Sequence, residues 1–172
     1  METYYTTDEK YMQAVEEYWY GESAKALQML NQIIANDATY ARAHHFLGKV
    51  NIENVKDYQT AGYHFKICME LEPSFPDNYI KYLELVVFLR MDRQVKMVAA
   101  AALKVAGVDQ ALIHDQLGLH AEKNKHFGDA LKAYNKALME TIDKEEMEGI
   151  EESIKRVRAK MRSALKYQYL SE

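Results

Sequence analysis

The chain has 172 residues, 48% of them hydrophobic and 28% charged, with a formal net charge of -4. That balance excludes a disordered, collagen-like or membrane-spanning chain and gives no bulk attraction to nucleic acid or an anionic membrane. Two prolines, seven glycines and one cysteine permit long helices and exclude a turn-rich sandwich, a disulfide framework and a cysteine-rich zinc site.

Met1 to Asp8 is polar and aromatic, with no apolar segment behind a basic start. No later stretch approaches the roughly 18 apolar residues of a membrane span. The expectation is a cytoplasmic chain with no membrane partner.

Thr6 followed by Glu9 has the spacing of a capping box and opens the first helix. Ala14, Ala26, Leu30 and Ile33 then mark a helix pair over residues 7–40. A second pair, residues 41–75, has Leu47-Gly48 followed by Tyr58, Ala61, Phe65, Cys68 and Pro73. The spacing puts Tyr58, Ala61, Phe65 and Cys68 on one stripe of a helix.

Pro73 and Pro76 bracket a break before a third pair, residues 76–110, marked by Tyr79, Leu83, Val95, Ala99 and Ala102. Asp92 is placed as a helix cap there, and Gly107 suits a helix end. Asp109 caps the fourth pair, residues 111–144, in which Leu117-Gly118 is followed by Phe127, Ala130, Tyr134 and Ala137.

The equivalent positions Ile33, Cys68, Ala102 and Ala137 lie 35, 34 and 35 residues apart, the regularity of a stacked array. Gly48 and Gly118 let a second helix approach closely, at Ala61 and Ala130. Gly48 to Ala61 is 13 residues and Gly118 to Ala130 is 12, so one extra residue is placed in the turn of the second pair.

Residues 145–168 repeat Met147, Ile150, Ile154, Val157, Met161 and Leu165 at helical spacing. They read as a capping helix, with Glu151–Lys155 and Glu152–Arg156 pairs on its wet side.

The Leu-Gly, aromatic, Ala, aromatic and closing Pro pattern at this period resembles the tetratricopeptide repeat. The resemblance implies an all-α fold: a right-handed superhelical solenoid of antiparallel helix pairs with a C-terminal capping helix, as one domain. It further implies a non-enzymatic scaffold that holds a peptide or partner protein in a concave groove lined by the first helix of each pair.

Projected onto this sequence, that groove takes Asp8, Tyr11, Val15, Tyr18 and Trp19, then Arg42, His45, Lys49, Ile52 and Glu53. The third pair adds Asp77, Ile80, Glu84, Val87 and Phe88, and the fourth Leu112, Asp115, Leu119, Glu122 and Lys123. Packing against adjacent helices is the competing role for each. One branch of the family clamps the C-terminal carboxylate of heat-shock chaperones with paired Lys and Asn and, further along, with Lys and Arg. Here Tyr11, Val15, Ile80 and Glu84 stand at those positions, so no such recognition is expected.

Other chemistries find little support. His44 and His45 point to different helix faces, and His114, His120 and His126 lack ligand spacing, so no metal or other cofactor is expected. No phosphate loop, nucleophile elbow or zinc-protease pair occurs, so no catalytic residue is assigned. Cys68 falls on the packed stripe as an inert thiol rather than a redox sensor. The tyrosines and Trp19 read as packing before they read as a base-stacking platform. Lys155, Arg156, Arg158, Lys160, Arg162 and Lys166 form a basic stretch, the basis of an alternative, RNA-associated reading. Self-association is the third possibility.

Overall fold

A computed structural model describes residues 5–169, with side chains through residue 164. Its helices follow the expected pairs: α1 (Thr7–Trp19) with α2 (Ser23–Asn36), α3 (Ala41–Val50) with α4 (Tyr58–Leu71), α5 (Pro76–Phe88) with α6 (Asp92–Ala102), and α7 (Gln110–Lys123) with α8 (Phe127–Glu140). A long helix, α9 (Lys144–Tyr169), follows them, and no strand occurs among the described residues. The side chains of Leu165 and Lys166 lie outside those described. No described helix is long and apolar enough to cross a membrane. The chain separates into two compact units, Met1–Tyr82 and Leu83–Glu172, and the division falls within α5.

In the first unit the capping box forms as read. The Thr6 hydroxyl accepts from the Glu9 amide at 3.2 Å and the Glu9 carboxylate accepts from the Thr6 amide at 2.7 Å. The apolar stripes of α1, α2 and α3 then meet, with Ala14, Leu30, Ile33, Ala43, Phe46, Leu47 and Val50 buried together. A Cβ at Gly48 would stand 2.5 Å from the Phe65 ring. The absent side chain therefore makes room first of all for the second aromatic of the stripe, whose ring is the nearest neighbour.

The extra residue of the second pair is not in the turn either. It is absorbed by a π-helical turn, Asn51–Val55, that ends the first helix, since i→i+5 bonding houses one more residue per turn. Lys56 reverses the chain in the left-handed conformation, and the Asp57 carboxylate caps α4 by accepting from the Thr60 amide at 3.0 Å.

In the second unit Gly118 repeats the joint, with a Cβ there only 2.6 Å from the Tyr134 ring. Ala130, Tyr134 and Ala137 are buried against Ile150, Ile154 and Val157 of α9, so α9 covers the fourth pair as a cap would. Asp109 accepts from the Leu112 amide at 3.1 Å, the expected cap of α7. Asp92 corrects the reading. It is the first helical residue of α6, Met91 holds the capping position, and the Asp92 carboxylate instead accepts from the Asn124 amide group at 3.2 Å.

The weaker pairs obey a volume rule that identity hides. At the position of Gly48 and Gly118 stand Ala14 and Leu83, and at the position of Phe65 and Tyr134 stand Leu30 and Ala99. All eight are buried. Small against large becomes large against small in the third pair, which preserves the filled volume that dense packing demands.

Candidate functional site

In the first unit the projected wall begins at α1. Asp8 accepts a hydrogen bond from the Tyr40 hydroxyl at 2.6 Å, and the Tyr40 ring lies 5.5 Å from Tyr11. Tyr11 also meets Phe46 edge-on at 6.3 Å, and burial raises its hydroxyl pKa while Arg42 opposes the rise. Tyr11 and Val15 are thus half-buried shoulders of the core, whereas Arg42 is exposed.

At the end of α1 the wall is open. Trp19 is 69% exposed. The Tyr18 ring stands edge-on to Trp19 at 5.7 Å and to Phe46 at 5.2 Å, and the Lys49 ammonium lies 4.7 Å from the Trp19 centroid and 5.5 Å from those of Tyr18 and Phe46. At an exposed site such contacts contribute about 0.5–1 kcal/mol. The Tyr18 hydroxyl donates to Glu53, and its pKa is pushed up to about 12 by burial and by that carboxylate. Phe46, Lys49 and Glu53 share one helical face because they follow at three and then four residues.

His45 serves another purpose. Its Nδ1 donates to the Asn78 side-chain oxygen at 3.2 Å, while the Asn78 amide group donates to the Phe65 carbonyl at 2.9 Å. The imidazole packs 4.9 Å from Phe75, and burial holds its pKa below the ordinary value. It therefore joins α3 to the start of α5. Ile52 and Ile80 are half-buried beside exposed Glu53 and Asp77.

In the second unit Val87 is fully buried, while Phe88 is 57% exposed under the Lys123 ammonium, 5.8 Å from its ring. Glu84, Leu112, Asp115 and Leu119 are half-buried. Leu112 and Asp115 line a cleft of about 260 Å³ whose other side is α9, at Glu146, Gly149, Ile150 and Ser153. Burial raises the Asp115 carboxyl pKa against the pull of Arg156.

Glu122, read from the sequence as a groove residue, is only 5% exposed. It accepts from the Tyr134 hydroxyl at 2.9 Å, from Arg156 Nε and Nη2 at 2.8 Å and from Lys160 Nζ at 2.7 Å. Those donors, led by Arg156, hold its carboxyl down to about 2. Arg156 therefore turns to Glu122 rather than to Glu152, and of the basic stretch Lys155, Arg158 and Arg162 remain exposed without a role in this cluster. Sequence reading missed the cluster. Its signal was two cations, Arg156 and Lys160, at i and i+4 along one face of α9.

Two histidines distant in sequence also meet. His44 Nε2 lies 3.1 Å from the Ala38 carbonyl and its Nδ1 lies 3.0 Å from His64 Nδ1. A carbonyl only accepts, so His44 carries its proton on Nε2 and His64 donates through Nδ1. Cys68, on the same helix as His64, is fully buried, and its thiol is pushed up to about 12 by burial.

Solved structures share this arrangement of helices. A fragment of MamA from Desulfovibrio magneticus RS-1, residue 41 to the end, superposes with a TM-score of 0.66 at 16% identity, covering 91% of this chain and 96% of that one. A thermophilic TPR protein of Thermus thermophilus, TTC0263, gives 0.65 at 17% identity, with 91% and 83% covered. The fold is the tetratricopeptide-repeat fold. PilW, a type IV pilus biogenesis factor, superposes with a TM-score of 0.67 at 15% identity over 80% of this chain and 63% of its own. No protein-family model and no curated protein sequence matches the chain.

In tetratricopeptide terms, the first helices leave open Trp19, with Lys49, in the first unit and Phe88, with Lys123, in the second. The second helices expose Tyr63 at 59%, Met97 at 47% and Met139 at 85%, and Ile142 is fully exposed just beyond the end of α8.

Proposed function

We propose that this chain is a non-enzymatic interaction module whose first-helix walls hold a peptide or a segment of a partner protein. The observation that carries the reading is the exposure of large aromatics at wall positions, Trp19 at 69% and Phe88 at 57%. Each is left out of the core with a lysine ammonium over its ring, and aromatics are among the residues enriched at interface centres. Burying one such side chain contributes about 1.5–3 kcal/mol before the ordering cost, so a few anchors give reversible binding. The likeness to PilW, a biogenesis factor, is in keeping with a part played in an assembly.

Site-specific photocrosslinking tests this. A crosslinking residue at Arg42, on the first-helix wall, is expected to capture a defined partner band that Trp19→Ala removes. The same group at Met139, on α8, is expected to capture none. Equal capture at both positions, or capture at Met139 alone, moves the interface to the second helices.

A further inference from the structure

The three rings around Lys49 form more than a packing contact. Phe46, 6% exposed, is the floor; Tyr18 and Trp19 are walls set at 79° to each other; and the Trp19 wall is open to solvent. A carboxylate, Glu53, is fixed at the rim by the Tyr18 hydroxyl. Aromatic faces present negative potential to a cation, and the carboxylate adds to it. The enclosure therefore selects positive charge, and it holds one already: the chain's own Lys49.

We propose that this cage is a receptor for an arginine side chain of the partner, and that Lys49 is a resident placeholder that the arginine displaces. The inference rests on the wall reading above and names the chemistry of its occupant.

Displacement is favoured because Lys49 has little to lose. Its ammonium is compact and strongly hydrated, so leaving the rings for water is cheap. A guanidinium is more weakly hydrated, stacks flat on an aromatic face and offers a fork of N–H donors to a carboxylate. The open Trp19 face suits the stack and Glu53 suits the fork. A partner lysine would only replace like with like, with no gain over Lys49.

Trp19 is the only tryptophan of the chain, so its single indole N–H signal in a nitrogen–proton spectrum reports the cage alone. The probes are the acetylated, amidated tripeptides Gly-Arg-Gly, Gly-Lys-Gly and the trimethyl-lysine form, titrated at constant ionic strength into the full chain. The arginine peptide is expected to shift the indole signal with at least fivefold tighter binding than the lysine peptide. Lys49→Met, which keeps the stem and removes the charge, is expected to tighten arginine binding at least threefold. Glu53→Gln is expected to weaken it by a similar factor, with the fold checked by the rest of the spectrum.

Equal shifts from arginine and lysine, or no change in Lys49→Met, would overturn the proposal. Tightest binding by trimethyl-lysine would overturn it too, in favour of a methylammonium reader. These titrations need no natural partner. Their failure leaves the crosslinking result standing, and a failed crosslink leaves them standing.

Discussion

Phe65 and Tyr134 occupy the same place in two copies of one joint, each pressed over a glycine of the preceding helix, and they differ by a single oxygen. That oxygen reorganises its surroundings. Four residues after Gly48 comes Ile52, and the Phe65 ring lies against the rings of His45 and Tyr82 with no charge drawn in. Four residues after Gly118 comes Glu122, which receives the Tyr134 hydroxyl and draws Arg156 and Lys160 from α9. A buried hydroxyl requires a partner, its partner here is a charge, and the charge requires cations. The second pair carries its polar burial elsewhere, in His44 and His64. The fourth has a histidine at the place of His44, His114, but Ala133 at the place of His64, and His114 Nε2 finds no protein partner.

The comparison breaks most severely at Glu122. Glu122→Ala is expected to cost about 3 kcal/mol, because it removes several charge-assisted bonds and leaves the Tyr134 hydroxyl buried and unpaired. Arg156 and Lys160 are 46% and 48% exposed, so water takes over part of their solvation and the loss stays below that of a fully buried pair. Tyr134→Phe with Glu122→Leu, which gives the fourth pair the chemistry of the second, is expected to recover more than half. Chemical denaturation of the single and double variants measures both. Recovery of nothing would mean that Glu122 serves α9 alone and that the hydroxyl is incidental.

Acid reaches the second pair most strongly through His64. Burial, with His44 beside it, holds His64 down to about 4 from its ordinary 6.5. As pH falls below 6.5 the unfolded chain takes up a proton that the native chain refuses, so stability declines until about pH 4 and is flat below. At pH 5 the loss is about 2 kcal/mol relative to pH 7. Glu122, whose folded pKa is depressed, contributes stability that is present above about 4.5 and lost toward pH 2. Burial holds His44, His45, His114 and His120 below the ordinary value as well, so denaturation at pH 7 and pH 5 is expected to show a drop in the parent chain that His64→Ala, which gives the second pair the alanine of the fourth, reduces by about 2 kcal/mol without abolishing it. An equal drop in both assigns the acid sensitivity to other histidines.

What could be read from the residues follows from how far each feature reaches along the chain. Gly48, Ala61, Phe65 and Cys68 are fixed by contacts between consecutive helices, so their sizes recur with the period and reveal the fold. The third pair was harder to read because Leu83 and Ala99 exchange the sizes of Gly and an aromatic while keeping the volume. Glu122 was misplaced because its burial is decided by α9, with Arg156 lying 34 residues further on. His44 and His64 meet across a turn whose geometry depends on the π turn at Asn51–Val55, which a count of residues locates only to within a few positions. Trp19 was projected onto the wall from the repeat alone, but that it shares Lys49 with Tyr18 and Phe46 required coordinates.

The smallest effect addresses all four pairs at once. Each first helix ends at a residue with positive φ: Gly21, Lys56, Arg90 and Lys125, spaced 35, 34 and 35 residues apart. Only the first is the glycine that such a conformation favours. The other three accept left-handed strain of about 1 kcal/mol, and each puts a cation at a helix C-terminus, where the macrodipole returns a few tenths of a kcal/mol at low salt. Lys56→Gly trades one for the other, and the glycine also loosens the unfolded chain. Its net gain is expected to be about 0.3 kcal/mol at low salt, growing in 1 M salt as screening removes the dipole contribution of the lysine. Gly21→Ala isolates the backbone, because a Cβ there meets nothing within 4 Å, and is expected to cost about 1 kcal/mol at either salt concentration. A salt-independent Lys56→Gly gain would remove the helix dipole from the account of why three of these turns carry a base and leave strain relief alone.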